Sequence, residues 1–155
     1  MVGKLAGEIR QAAAFGSLEE EAILNIHRAA SVLDQAVGEA LKPYGLSTTQ
    51  YNVLRILRGA GESGLACQEI AERMVARDPD ITRLLDRLEG RLLIERARSR
   101  EDRRVVVVRL AEEGAKRLAS MDSSIGSLPK RVLGHLGPRR LRLLIGLLER
   151  ARQSP

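Results

Sequence analysis

A mainly α-helical chain with one small β-hairpin is the fold class this sequence predicts, on three observations. Apolar residues recur at helical spacing along most of the chain, from Leu18 to Leu41 and again in shorter stretches. A short helix, a turn and a capped amphipathic helix follow one another from Cys67 to about Leu92. After an arginine-studded stretch comes Val105–Val108, a β-branched run with strong strand preference. Helix, turn, helix and basic hairpin can put one element in a DNA major groove and another in the minor groove beside it.

Ser17-Leu-Glu-Glu20 has capping-box spacing, and Glu19, Glu20 and Glu21 suit the positive end of a helix. The stripe Leu18, Ala22, Ile26, Ala29, Leu33, Val37, Leu41 predicts one long helix, ended by Pro43 and Gly45. Ser47 and Gln50 form a second box and open a helix to about Arg58, with the glycines of 59–64 as a loop. Cys67–Ala76 reads as a short helix with Ile70, Ala71 and Met74 inward. Asp78 suits an N-cap and Pro79 the first helical position. From there Ile81, Leu84, Leu85, Leu88 and Leu92 project within about 100° of one another. Pro79, Arg83, Asp86 and Gly90 take the opposite face, flanked by Asp80, Thr82 and Arg87.

Ile94–Arg98 and Arg104–Leu110 predict antiparallel strands, with Ser99–Arg103 as the polar tip. Ala111 opens a helix striped by Leu118, Met121 and Ile125, expected to bend or break at Gly126 and Pro129. Gly137-Pro138 opens a last helix through Leu141, Leu144, Ile145 and Leu148. The first dozen residues and the last few are expected to be loosely held. The outer helices carry more apolar residues than water-facing surfaces do, and burial against a second copy is the simplest remedy.

At 155 residues the chain can bury a real core. Its net charge is +6, and the segment from Arg73 to Arg109 holds eleven Arg against seven acids, +4 of that total. Every cation in the segment is Arg, the better bidentate ligand for phosphates and guanine edges. One Phe, two Tyr and no Trp argue against a stacking platform for single-stranded nucleic acid. A single cysteine cannot close an internal disulfide, which fits a reducing cytoplasm. No apolar run approaches a membrane span, and the N-terminus has no signal-peptide pattern.

Arg77-Asp-Pro-Asp-Ile-Thr-Arg-Leu-Leu-Asp-Arg-Leu-Glu89, then Glu101-Asp-Arg-Arg104 and Val108-Arg-Leu-Ala-Glu-Glu-Gly114, resembles the MarR family of bacterial transcription regulators. The resemblance runs from about Leu18 to Arg152. It implies a winged helix-turn-helix with N- and C-terminal dimerisation helices, acting as a cytoplasmic homodimer on pseudo-palindromic double-stranded DNA, often as a repressor. The implied organisation is a dimerisation region over 1–45, the DNA-binding domain over 46–110 and dimerisation helices over 111–155. Asp80, Thr82, Arg83 and Arg87 match recognition-helix positions. Asp102 and Arg104 match the wing's Asp-x-Arg, in which the carboxylate orients the guanidinium for the minor groove, and Arg98, Arg100 and Arg103 would add phosphate contacts. Many family members release DNA on binding a small aromatic or lipophilic effector, for which His27, Tyr44 and Tyr51 are candidate pocket residues. Two positions depart from the pattern. Leu92 stands where the family has a helix-ending Gly, and Leu resists the left-handed conformation such an end often needs. Ala111 stands where a capping Thr is usual.

Other motifs weigh less. Gly59-Ala-Gly-Glu-Ser-Gly64 fits a dinucleotide-binding pattern, but the strand that mechanism needs is replaced by a helix. Cys67, at a helix start, could sense oxidants, against the plainer reading of a small half-buried residue. His27 and His135 lack partners for a metal site, and no catalytic constellation or cofactor motif is visible. The competing class is a winged-helix protein-interaction module that does not read DNA and would tolerate loss of the arginines.

Overall fold

The computed structural model describes residues 4–99, 102 and 104–153. Seven α-helices and a three-stranded sheet occur among them: α1 (Lys4–Glu8), α2 (Leu18–Leu41), α3 (Thr48–Ala60), β1 (Leu65–Ala66), α4 (Cys67–Arg73), α5 (Ile81–Gly90), β2 (Ile94–Arg98), β3 (Val106–Leu110), α6 (Glu112–Leu133) and α7 (Gly137–Ala151). The chain forms two compact units, one ending at Ala36 and one beginning at Val37.

The first unit holds α1, which the sequence reading did not anticipate, and most of α2. The Ser17 hydroxyl accepts from the Glu20 N–H (3.1 Å), as a cap should, but Glu20 reaches back to the Gly16 N–H (2.6 Å). The box is thus displaced by one residue. A hydrogen bond from its own backbone N–H, and then one from the Ser17 hydroxyl, hold the Glu19 carboxyl below its ordinary value. Leu18, Ile23, Ile26 and Val32 stay exposed along α2.

In the second unit Ser47 and Gln50 make the reciprocal box expected of them, the Ser47 hydroxyl accepting from the Gln50 N–H (3.2 Å) and Gln50 Oε1 from the Ser47 N–H (3.1 Å). α3 continues through Gly59 and Ala60, two residues that the glycine spacing assigns to a loop. Burial of Val53, Leu54 and Leu57 on its inner face outweighs the helix cost of one glycine, about 1 kcal/mol. α4 ends at Arg73 rather than Ala76, because Met74 turns extended and the Val75 N–H is taken by Asn52 Oδ1 (3.1 Å). The sheet is antiparallel in the order β1-β3-β2, with Ile94 opposite Leu110 and Arg98 opposite Val106. β1 is too short to show a period-2 pattern in sequence, and β3 begins two residues later than expected. α6 runs unbroken through Gly126 and Pro129, both exposed, since Leu118, Met121, Ile125 and Leu128 are all buried on its other side.

α5 begins at Ile81, not Pro79. The Asp78 carboxylate accepts from the Asp80 N–H (2.8 Å), closing a local turn, and Asp80 becomes the N-cap through its bond from the Arg83 N–H (3.2 Å). The far end resolves the Leu92 departure. Leu92 adopts φ +58°, its N–H bonds the Glu89 carbonyl (2.8 Å), and the Leu93 N–H bonds the Leu88 carbonyl (3.0 Å). These are the two bonds of a Schellman ending, with the buried Leu93 against the buried Leu88. Leu92 itself is 73% exposed, so no burial of its own offsets the strain. A left-handed Leu costs about 1–2 kcal/mol, and glycine's extra unfolded-state freedom returns part of that. Leu92→Gly should therefore raise stability by about 0.5–1 kcal/mol, read as a higher urea midpoint at unchanged slope; no increase would mean that the turn is not strained.

Candidate DNA-binding surface

Burial of Leu84, Leu85 and Leu88 fixes the rotation of α5 about its axis. Thr82, Arg83, Asp86 and Arg87 are left on its exposed side, as the helical period requires. The Arg83 side chain is 81% exposed, and its Nε lies 3.2 Å from Asp80 Oδ2. Such an open pair contributes at most ~1 kcal/mol, so Arg83 can exchange the carboxylate for a phosphate at small cost. Arg87 leans back along the helix, its Nε donating to the Arg83 carbonyl (3.2 Å). Asp80 is committed at the helix start by its capping bond as well as its ion pair.

The hairpin closes by a local network. The Ser99 N–H bonds the Val105 carbonyl (2.8 Å), and the Val105 N–H bonds the Asp102 carbonyl (3.0 Å). Asp102 Oδ1 accepts from the backbone N–H of Arg104 (2.9 Å). The resemblance implies that this carboxylate orients the Arg104 guanidinium; the contact made is to the backbone, so Asp102 shapes the turn that carries Arg104. Arg98 and Arg104 are both exposed. Arg100 and Arg103 lie outside the described residues.

Arg96 was not singled out by sequence, yet it joins the two elements. Its Nη1 donates to Asp86 Oδ1 (2.7 Å) and stands 3.5 Å from Glu89 Oε2, while Nη2 donates to the Thr82 carbonyl (3.4 Å). The signal was strand alternation, which puts Arg96 on the same face of β2 as the buried Ile94.

The candidate effector residues fall in different units. His27 is exposed on α2 in the first, whereas Tyr44 and Tyr51 are half-buried against the core of the second. The Tyr44 carbonyl accepts from Arg117 Nη1 (3.0 Å). Cys67, half-buried, is the first residue of α4.

The MarR family model matches residues 46–106. A MarR transcription factor of Planctomyces limnophilus is 41% identical in its crystal structure, which covers 87% of this chain and 98% of that one with a TM-score of 0.66. The chain belongs to the MarR family. A mutant MarR of Escherichia coli complexed with operator DNA is 26% identical, covering 88% of this chain and 99% of that one with a TM-score of 0.77. Among curated relatives, the HTH-type transcriptional regulator TtmR of Methylorubrum extorquens is 33% identical over 121 residues, 78% of this chain and 59% of its own length. The match to a second curated relative, from Bacillus subtilis, spans 66% of that protein. In this family frame α3, α4, α5 and the β2–β3 hairpin form the winged helix-turn-helix, with α5 in the place of the recognition helix.

The capping role of Asp80 separates folding from binding. Asp80→Ala should lose about 1 kcal/mol of stability, whereas Asp80→Asn, which keeps a capping oxygen and removes a negative charge, should lose little. Thermal unfolding of both variants checks this, and equal losses would remove Asp80 from the cap.

Proposed function

We propose that this chain is a sequence-specific, DNA-binding transcription regulator that acts as a homodimer on a pseudo-palindromic operator. Bound there, it would exclude polymerase from the neighbouring promoter and so act as a repressor. One observation carries this reading: the exposed arginines Arg83 and Arg87 of α5, and Arg104 of the hairpin turn, extend from a single unit whose leucines are buried behind them. Exposed guanidinium groups on a helix and on an adjacent β-ribbon suit two neighbouring grooves.

In this reading α5 enters the major groove, where Arg83 and Arg87 meet phosphates or base edges. Thr82 and Asp80 limit which bases are tolerated there. Arg104 enters the flanking minor groove and favours a narrow A·T-rich stretch, on a turn shaped by Asp102, while Arg98, Arg100 and Arg103 contact phosphates. Dimerisation would set the two recognition helices one DNA turn apart, roughly 34 Å. It is supported by apolar side chains left in water on the outer helices: Leu18, Ile23 and Ile26 on α2, and Leu143, Ile145 and Leu147 on α7, a helix with no buried residue. A small aromatic or lipophilic effector acting near Tyr44 and Tyr51, both half-buried against the core of the second unit, would release the DNA. This role requires no catalytic step and a cytoplasmic setting. No helix among the described residues is long and apolar enough to cross a membrane.

Selection from a random duplex pool, followed by titration at several salt concentrations, tests the reading. Wild-type protein should enrich a pseudo-palindrome, with affinity falling steeply as salt rises, at a logarithmic slope of about −0.9 per phosphate neutralised. Arg104→Ala should weaken binding about tenfold and diminish the preference for A·T flanks; unchanged affinity at moderate salt would remove Arg104 from the wing contact. Independently, Leu143→Glu combined with Ile145→Glu should convert a dimer to a monomer in light scattering. A wild-type protein that is already monomeric would overturn the paired-site geometry.

A further inference from the structure

We infer that Arg96 is a positioning residue for DNA binding: it sets the angle between the recognition helix and the wing without itself touching the nucleic acid. The inference rests on the DNA-binding reading above and assigns within it a residue that carries no contact of its own.

The geometry is that of a brace. Thr82, Asp86 and Glu89 lie along one side of α5, spaced by four and three residues and so within reach of a single planar group. The Arg96 guanidinium spans all three, at 3.4 Å, 2.7 Å and 3.5 Å. Its side chain is only 24% exposed, far less than the 81% of Arg83. With two carboxylates beside it, its charge is more than neutralised locally and exerts no net pull on a phosphate.

Packing holds this joint only on its inner side, where Leu85, Ile94 and Val108 are buried in the core. A cleft of about 230 Å³, lined by Cys67, Thr82, Leu85, Arg96, Val106 and Val108, opens between α5 and this end of the sheet. Where the cleft opens, dispersion contacts between the two elements are fewer. The hairpin is also narrow here. β1 pairs only with Val107 and Val108, so beyond Ala97, the residue after Arg96 and the register partner of Val107, the wing continues as a two-stranded ribbon. Two-stranded ribbons take up larger twists than wider sheets, so the ribbon's direction is less fixed by strand pairing alone. Arg96 therefore stands at the root of the free ribbon and joins it to the helix that must dock alongside it.

The test uses the full chain and its selected operator, and compares affinity, salt slope and flank preference for wild type, Arg96→Met and the pair Asp86→Ala with Glu89→Ala. Arg96→Met should bind about tenfold more weakly, with unchanged salt slope and reduced discrimination between A·T and G·C flanks. The double-alanine variant discriminates most sharply. It removes two negative charges from a DNA-facing helix, so electrostatics alone makes it bind more tightly, whereas loss of the brace makes it lose flank discrimination and bind more weakly. A salt slope reduced by about one per subunit in Arg96→Met would show that Arg96 meets a phosphate itself, and tighter binding with intact flank preference in the double-alanine variant would show that only charge matters; either overturns the assignment. If Arg96→Met does not fold, the double-alanine variant decides alone. Failure of the wild type to select any sequence would instead overturn the DNA-binding reading.

Discussion

The burial of three leucines on α5 is the constraint on which the rest of this structure depends. Leu84, Leu85 and Leu88 are each at most 2% exposed, and removing a leucine side chain from water is worth about 1.5–3 kcal/mol. The surface pairs on the same helix, such as Arg83 with Asp80, are each worth less than that. Hydrophobic burial therefore sets the rotation of the helix, and the polar contacts follow from it. Once the leucines face inward, Arg83 and Arg87 have no option but to face out, because at about 100° per residue they lie about 150° and about 110° from the mean direction of the three leucines.

A second constraint lies where the helix ends. The Leu93 carbonyl accepts from the Ala111 N–H (3.1 Å), and a Cβ on Gly114 would collide with that same carbonyl. The start of α6 is thus pressed against the exit of α5, which explains the glycine in the Val108–Gly114 motif by close approach alone. The left-handed Leu92 lets Leu93 and Ile94 turn straight into the core. The strain at Leu92 and the tight contact at Gly114 are two consequences of one abrupt reversal, and that reversal sets the root of the wing.

These features were unequally legible in the sequence. Helices α2, α3, α5 and α7 were marked by caps and by 3.6-residue stripes, both short-range signals that need no tertiary knowledge. Strand β2 was legible to the residue, and β3 through its valines. What the chain concealed was set by tertiary context: the continuation of α6 through Pro129, the two-residue β1, and a leucine forced left-handed. At the candidate site, exposure of Arg83, Arg87 and Arg104 follows from periodicity and turn position. Two features of the site exist only in the folded chain. Asp78 and Asp80 compete for one cap, and local spacing favours the wrong one. Arg96 belongs to a run of wing arginines that look alike in sequence, and only strand alternation read against the acids of α5 sets it apart.

That difference among arginines has an electrostatic consequence. Eleven cations between Arg73 and Arg109 suggest a broad polyphosphate-binding surface. Several are already engaged: Arg96 by Asp86 and Glu89, Arg73 by Glu69, Arg91 by the Gln50 side chain (3.4 Å) and Arg109 by the Glu62 carbonyl (2.7 Å). A cation held by a carboxylate neutralises a phosphate only by giving up that partner, so it adds less to counterion release than its formal charge suggests. The surface therefore divides its arginines between two tasks. Those bonded to a neighbouring element, such as Arg96, Arg91 and Arg109, fix the relative placement of helix, sheet and hairpin, while Arg83 and Arg87, whose partners Asp80 and the Arg83 carbonyl belong to the start of their own helix, and Arg104 remain turned to solvent. A chain with the same composition but its acids moved elsewhere would bind nucleic acid more strongly and less selectively, because charge attracts any sequence and only held geometry tells one groove from another.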